Sequence, residues 1–121
     1  MALIVQKFGG TSVATPERIK RLASRVNRFK KQGHQIVVVV SAMSGETNRL
    51  IALANEITTT PSPRELDVII STGEQVTIGM TALALQELGL KAKSYTGSQV
   101  KILTDASNGK ARIIDIDGQS M

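Results

Sequence analysis

Near its start the chain places a lysine, two glycines and two hydroxyl residues in succession, within Val5-Gln6-Lys7-Phe8-Gly9-Gly10-Thr11-Ser12-Val13. Such a set can hold a phosphate. Leu3, Ile4 and Val5 read as a buried strand whose end delivers Lys7 to the rim where ligands bind in open α/β sheets. Lacking a Cβ, Gly9 and Gly10 let backbone N–H groups approach an anion, and they can take φ > 0 to curl into a nest. Lys7 adds a point charge. Neither standard nucleotide signature fits, because the lysine precedes the glycines instead of following them as in a P-loop, and the spaced glycines of a dinucleotide fingerprint are absent. On these residues alone, a strand, a Gly-Gly turn and a surface lysine fit as well.

Two further stretches carry polar groups at points where elements should end. Ser41-Ala42-Met43-Ser44-Gly45-Glu46-Thr47-Asn48 follows the apolar run Gln35 to Val40, at the carboxyl end of a second strand and so beside the Lys7 loop. Its hydroxyls suit an anion or a small polar ligand. They equally suit the N-cap of a helix carrying Leu50, Ile51, Leu53, Ala54 and Ile57. In Ser71-Thr72-Gly73-Glu74, Gly73 allows a sharp break and Glu74 sits at the start of a new helix. An acid in a first turn is ordinarily solvated. The residues that follow, Val76 to Leu88, are however apolar or small nearly all round, which predicts a buried helix. A carboxylate at its start would lie near the interior and require a cation.

The elements that must position these groups follow from punctuation and period. Thr15 and Pro16 open a helix as N-cap and first residue; its stripe is Ile19, Leu22, Val26 and Phe29, and it should end near Gly33. Ile36 to Val40 is β-branched without alternation, the mark of a strand covered on both faces. Strand, helix and strand in that order make a parallel pair. Ser62, Pro63 and Glu65 form a capping box that starts the next helix. Lys91 to Tyr95 reads as a short third strand, and Thr96-Gly97-Ser98-Gln99 as a polar turn. Asn108-Gly109 between Lys101–Thr104 and Lys110–Ile114 signals an antiparallel hairpin. The fold class is α/β, with a mostly parallel sheet and a C-terminal β-hairpin.

At 121 residues and 41% hydrophobic, the chain has the material for one ordinary core. It has no cysteine, so disulfides and thiolate metal sites are excluded. No basic leader precedes the first strand and no apolar run approaches membrane-spanning length, so a cytoplasmic protein without a membrane partner is expected. The net charge of +5 raises nucleic-acid binding. Its distribution argues against it: Arg18, Arg21, Arg25 and Arg28 recur at helical spacing as a solvated flank, and Phe8, Phe29 and Tyr95 make no stacking platform.

Lys7-Phe8-Gly9-Gly10-Thr11-Ser12 resembles the K-F-G-G-T-S signature of the aspartokinases, within the amino-acid kinase superfamily. Three later stretches match that family in order: Ser41 to Asn48, Ser71-Thr72-Gly73-Glu74, and Thr96-Gly97-Ser98-Gln99. The likeness runs from Val5 to about Ile114. It implies a three-layer α/β/α domain, of which residues 1–121 are the N-terminal, amino-acid-substrate side. It also implies a kinase of the lysine, threonine and methionine pathways that moves the γ-phosphoryl group of ATP to the side-chain carboxylate of L-aspartate. By position, Lys7 is the catalytic cation, Lys7, Phe8, Gly9 and Gly10 contact the nucleotide, and Ser41, Thr47 and Glu74 contact aspartate. Mg²⁺ is implied by the nucleotide, with no ligand identifiable here, and a homo-oligomer is expected. The family's second nucleotide lysine and its regulatory ACT domains have no counterpart in these residues, so the chain alone is expected to be inactive. Glutamate or uridylate kinases, which share the early loop, and a non-catalytic interaction module are the alternatives. A dinucleotide-dependent oxidoreductase should carry an acid at the end of the second strand, where this chain has Ser41.

Overall fold

The computed structural model describes residues 1–97 and 99, and the backbone of residues 102–104 and 113–116. Strand β1 (Leu3–Phe8) leads through a glycine turn into helix α1 (Pro16–Lys31), and β2 (Gln35–Val40) follows. Helices α2 (Glu46–Ile57) and α3 (Pro63–Glu87) come next, then β3 (Ile102–Thr104) and β4 (Ile113–Ile116). β1 and β2 are parallel, with Ile4 opposite Ile36, Lys7 opposite Val39 and Phe8 opposite Val40. The crossover expected from strand, helix and strand is therefore present.

Local chemistry explains where α1 begins and ends. Thr15 Oγ1 accepts a hydrogen bond from the Arg18 amide, Pro16 occupies the first turn, and Lys30 and Lys31 lie in the last turn, where cations oppose the helix dipole. Gly33, with φ of 90°, turns the chain into β2. Ile19, Leu22, Ala23 and Val26 form the buried stripe and meet Val13 and Leu85 in one core. Phe8, Ile36, Val38 and Val40 pack against that core from the sheet, and Met80 and Ala84 from α3. Thus α1 and α3 lie side by side over a single sheet face.

The other sheet face departs from expectation. Side chains alternate along a strand, so Leu3, Val5, Lys7, Val37 and Val39 point away from α1. Leu3 is 66% and Val5 63% exposed. β1 is therefore covered on one face instead of buried, and the same holds for β2, whose Val39 is 44% exposed. The β-branched composition of β2 registers an environment that the described residues only half supply.

α3 brings a second correction. Ser62 Oγ accepts from the Glu65 amide as the capping box requires, but the helix then runs unbroken for 25 residues across Gly73. Gly73 is not a breaker. It packs where α3 crosses the loop after β2: a Cβ there would meet Ala42 Cβ at 3.0 Å and Glu46 Cγ at 3.2 Å. Continuity also makes α3 long and apolar enough to cross a membrane by length and composition, contrary to the reading that no run approaches that length. Its buried residues Gly73, Thr77, Thr81 and Leu85 sit in protein contacts, as in a core helix of a globular domain. The far side, expected to be buried, is open, with Val76 53% and Leu83 67% exposed.

Residues 91–95 are not a strand. Leu90 and Ala92 pack on the core while Lys91 and Lys93 face out, so strand-like alternation survives without a ladder. The Ala92 carbonyl instead accepts from the Gln86 side chain at 3.0 Å. β3 and β4 pair antiparallel, as the hairpin reading requires, with an irregularity between Leu103 and Thr104. The Asn108-Gly109 turn lies outside the described residues.

Candidate active site

The sequence-predicted residues come from three segments, and backbone contacts join all three. The Ser44 amide donates to the Gly10 carbonyl at 3.1 Å, which ties the loop after β2 to the loop after β1. Gly10 is there because of that approach. A Cβ on it would stand 2.9 Å from the Ala42 carbonyl oxygen and 3.2 Å from the Ser44 nitrogen. Neither Gly9 nor Gly10 takes positive φ, so the expected left-handed curl is absent; the described glycines with positive φ are Gly33, Gly45 and Gly89. Instead the turn closes on itself: the Ser12 amide donates to Gly9 at 3.1 Å and the Val13 amide to Gly10 at 3.3 Å. Those bonds do not use the Gly10 and Thr11 amides. Arg18 reaches back from α1 and donates to the Thr11 carbonyl at 2.8 Å, which stiffens the turn.

The second joint links α3 to the end of β2. Thr77 Oγ1 lies 2.8 Å from the Ser41 carbonyl oxygen and 3.0 Å from that of Glu74. Gly73, one turn earlier, lets α3 close on Ala42 and Glu46. Lys7 and the glycines, Ser41 and Thr47, and Glu74 are thereby held on segments that touch in sequence at one end of the sheet.

Individual side chains differ in how free they are. Among the described residues, the Lys7 ammonium, the Thr47 hydroxyl and the Glu74 carboxylate have no hydrogen-bond or ion-pair partner. The Ser41 hydroxyl makes one long bond, at 3.4 Å, to the Ala42 carbonyl. Helix α2 is not capped by a serine, since its N-cap is Gly45 in the left-handed region with no side-chain bond. The capping explanation for the Ser41 and Ser44 hydroxyls is therefore removed. Phe8 packs on the core from the sheet face opposite Lys7. Glu74 lies in the middle of α3 and is exposed, so its expected burial at a helix start is corrected. Glu46, the other acid nearby, is engaged: Arg49 bonds its carboxylate at 2.6 Å and 3.1 Å, and that contact holds its pKa below the ordinary glutamate range. Glu74, by contrast, has no such partner among the described residues.

Two surface grooves flank α1, and Phe8 is the predicted site residue that lines one of them. One, of about 400 Å³, is apolar and runs between α1 and α3 along Ile19, Met80 and Leu83. The other, of about 370 Å³, has Phe8, Ser12 and Leu22 with Arg18, Arg21 and Arg25. Neither is lined by Lys7, Ser41, Thr47 or Glu74. What unites those four is the joining of their segments, and two supports of the joints, Gly73 and Thr77, are not evident in the sequence as site residues. Their signal is a row of small or polar residues, Gly73, Thr77 and Thr81, four apart and so on one side of the helix.

A parallel pair with a lysine-glycine loop and a hydroxyl loop at one end is an arrangement for binding a small anionic substrate, and the profile of the amino acid kinase family matches residues 2–118. The chain belongs to the amino acid kinase family. Within it, the chain is 65% identical over 119 residues to an aspartate kinase of Stutzerimonas stutzeri, covering 98% of this chain and 29% of that protein. It is 64% identical over 117 residues to an aspartokinase of Pseudomonas aeruginosa, covering 97% and 28%. Among solved structures, an aspartate kinase from Synechocystis superposes with a TM-score of 0.79 at 54% identity, over 81% of this chain and 17% of that one. Aspartokinase III of E. coli, in complex with aspartate and ADP, gives the same TM-score at 24% identity over 93% and 35%, a likeness of fold. The chain thus spans under a third of the curated relatives it matches.

Proposed function

We propose that this chain forms the amino-acid-substrate side of an aspartate kinase. The reaction transfers the γ-phosphoryl group of ATP to a side-chain carboxylate oxygen of L-aspartate, giving 4-phospho-L-aspartate. A carboxylate oxygen forms the new bond to phosphorus, the bond from that phosphorus to its bridging oxygen breaks, and ADP leaves with the electron pair. No general base is needed, because the carboxylate is already ionised at neutral pH. The site must bring two anions together and neutralise the transferring group, which is positioning and electrostatics.

Each residue has a role that its chemistry suits. Lys7, free of other partners, meets the transferring phosphoryl group, and the Gly9 to Thr11 backbone lies against the phosphates. Ser41 and Thr47 bond the aspartate, and Glu74 takes its ammonium group. The observation that carries the reading is the joining of the three segments through Gly10, Ser44, Ser41 and Thr77, in a chain so similar to proteins named aspartate kinases. The described residues contain no group of three or more His, Cys, Asp or Glu that could hold a metal ion. A Mg²⁺ carried on the nucleotide phosphates needs few protein ligands, and no step above runs through one.

The test uses a complete catalytic chain: these 121 residues continued by the remainder of the Pseudomonas aeruginosa relative. Trapping the acyl phosphate with hydroxylamine should show turnover with aspartate and ATP. Turnover with glutamate in preference to aspartate would overturn the substrate assignment.

A further inference from the structure

We propose that Thr77 is a positioning residue for the amino-acid substrate, one buried hydroxyl that holds both Ser41 and Glu74 by their backbones. Thr77 is fully buried, at 0% exposure. Its oxygen sits 2.8 Å from the Ser41 carbonyl oxygen, 36 residues away in sequence, and 3.0 Å from the Glu74 carbonyl oxygen. A hydroxyl has one proton, so the two acceptors share it. The bond to Glu74 is the back-bond a helical threonine commonly makes. The bond to Ser41 is a tertiary contact. β2 ends at Val40, so the Ser41 carbonyl lies past the strand and needs a donor from elsewhere.

The neighbouring positions show that this contact is particular. Thr81, one turn further along the same face, is also buried at 4%, yet its hydroxyl has no partner. Gly73, one turn earlier, holds α3 close to Ala42 and Glu46. Gly73 and Thr77 give α3 a side that closes on the loop after β2, with Thr77 as its polar link. The proposal rests on the reading of Ser41 and Glu74 as aspartate contacts. If that reading holds, Thr77 sets the distance between the group that bonds the substrate and the group that meets its ammonium, without touching either ligand atom.

The chimeric chain described above provides the test, by steady-state kinetics in both substrates. Thr77→Val keeps the shape and removes the donor. It should raise the aspartate KM by about three- to tenfold, the scale of one neutral hydrogen bond, while the ATP KM stays within about twofold. Thr77→Ser should restore the aspartate KM, and Thr81→Val, which removes an unbonded hydroxyl, should leave both constants unchanged. Gly73→Ala, one turn earlier on the same side of α3, displaces Ala42 and should show the same selective rise; it decides the matter should Thr77→Val not fold. An unchanged aspartate KM in folded Thr77→Val, or equal rises for both substrates, would overturn the proposal. Glu74→Gln separates the two levels. If it too leaves the aspartate KM unchanged, the substrate assignment fails; if it raises that KM while Thr77→Val does not, the positioning role fails alone.

Discussion

Adjacent glycines in the loop after β1 should respond oppositely to the same substitution. Gly10→Ala builds a Cβ 2.9 Å from the Ala42 carbonyl oxygen and 3.3 Å from Ser44 Cα. All the atoms it meets belong to the backbone, so no side chain can swing aside. The two loops must separate, and the Ser44 amide bond to the Gly10 carbonyl, at 3.1 Å, lengthens or breaks. Overpacking costs roughly 1–3 kcal/mol, and the lost hydrogen bond about 0.5–1.5 kcal/mol. Against this stands a gain of about 0.4–1 kcal/mol from a less flexible unfolded chain, available because Gly10 does not use positive φ. The net expectation is a loss of about 2 kcal/mol. For Gly9→Ala nothing lies within 4 Å of the new Cβ, so the unfolded-state gain stands alone. Urea unfolding followed by circular dichroism should therefore separate the two variants by roughly 1–2 M in midpoint, given slopes of about 1–3 kcal/mol/M. Two variants unfolding within about 0.3 M of each other would refute the close approach of the loops as the reason for Gly10.

The remaining predictions concern catalysis and association. In the chimeric enzyme, Lys7→Met should lower kcat by roughly 10²–10³, the scale of one preorganised charge-stabilising donor, with an unchanged melting temperature; a near-normal kcat would make Lys7 a plain surface residue. Glu74→Gln should raise the aspartate KM by about 10- to 150-fold and leave the ATP KM nearly alone, if chemistry is slow relative to dissociation. The 121-residue chain by itself should give no acyl phosphate above background, since half a site cannot align two substrates; turnover within about tenfold of the chimera would contradict this. Its open sheet face, with Leu3, Val5 and Val39 exposed, should also cause self-association, visible as concentration-dependent mass in light scattering and suppressed by Val5→Lys.

Much of the architecture was legible because it is local. The threonine cap and proline of α1, the serine cap of α3, and the β-branched run of β2 are each decided within a few residues, so the sequence suffices for the parallel unit and its helix. The polar composition of the segments carrying Lys7, Ser41, Thr47 and Glu74 was also visible, as was the placing of two loops at one end of the sheet. Three things were decided by tertiary contact. Gly73, a breaker by propensity, lies inside one continuous helix, where Ala42 and Glu46 fill the space a side chain would need, and that continuity carries Glu74 from a helix start to a helix middle. Gly10 is required by the loop opposite it and not by its own backbone angles. Thr77, one of several polar residues in α3, acquires its meaning from a carbonyl 36 residues earlier, a partner that no local pattern specifies. Backbone propensity acts over a turn of helix, whereas close approach and buried hydrogen bonds depend on which distant atoms arrive there. This is why most of the elements could be read from the chain and the joints between them could not.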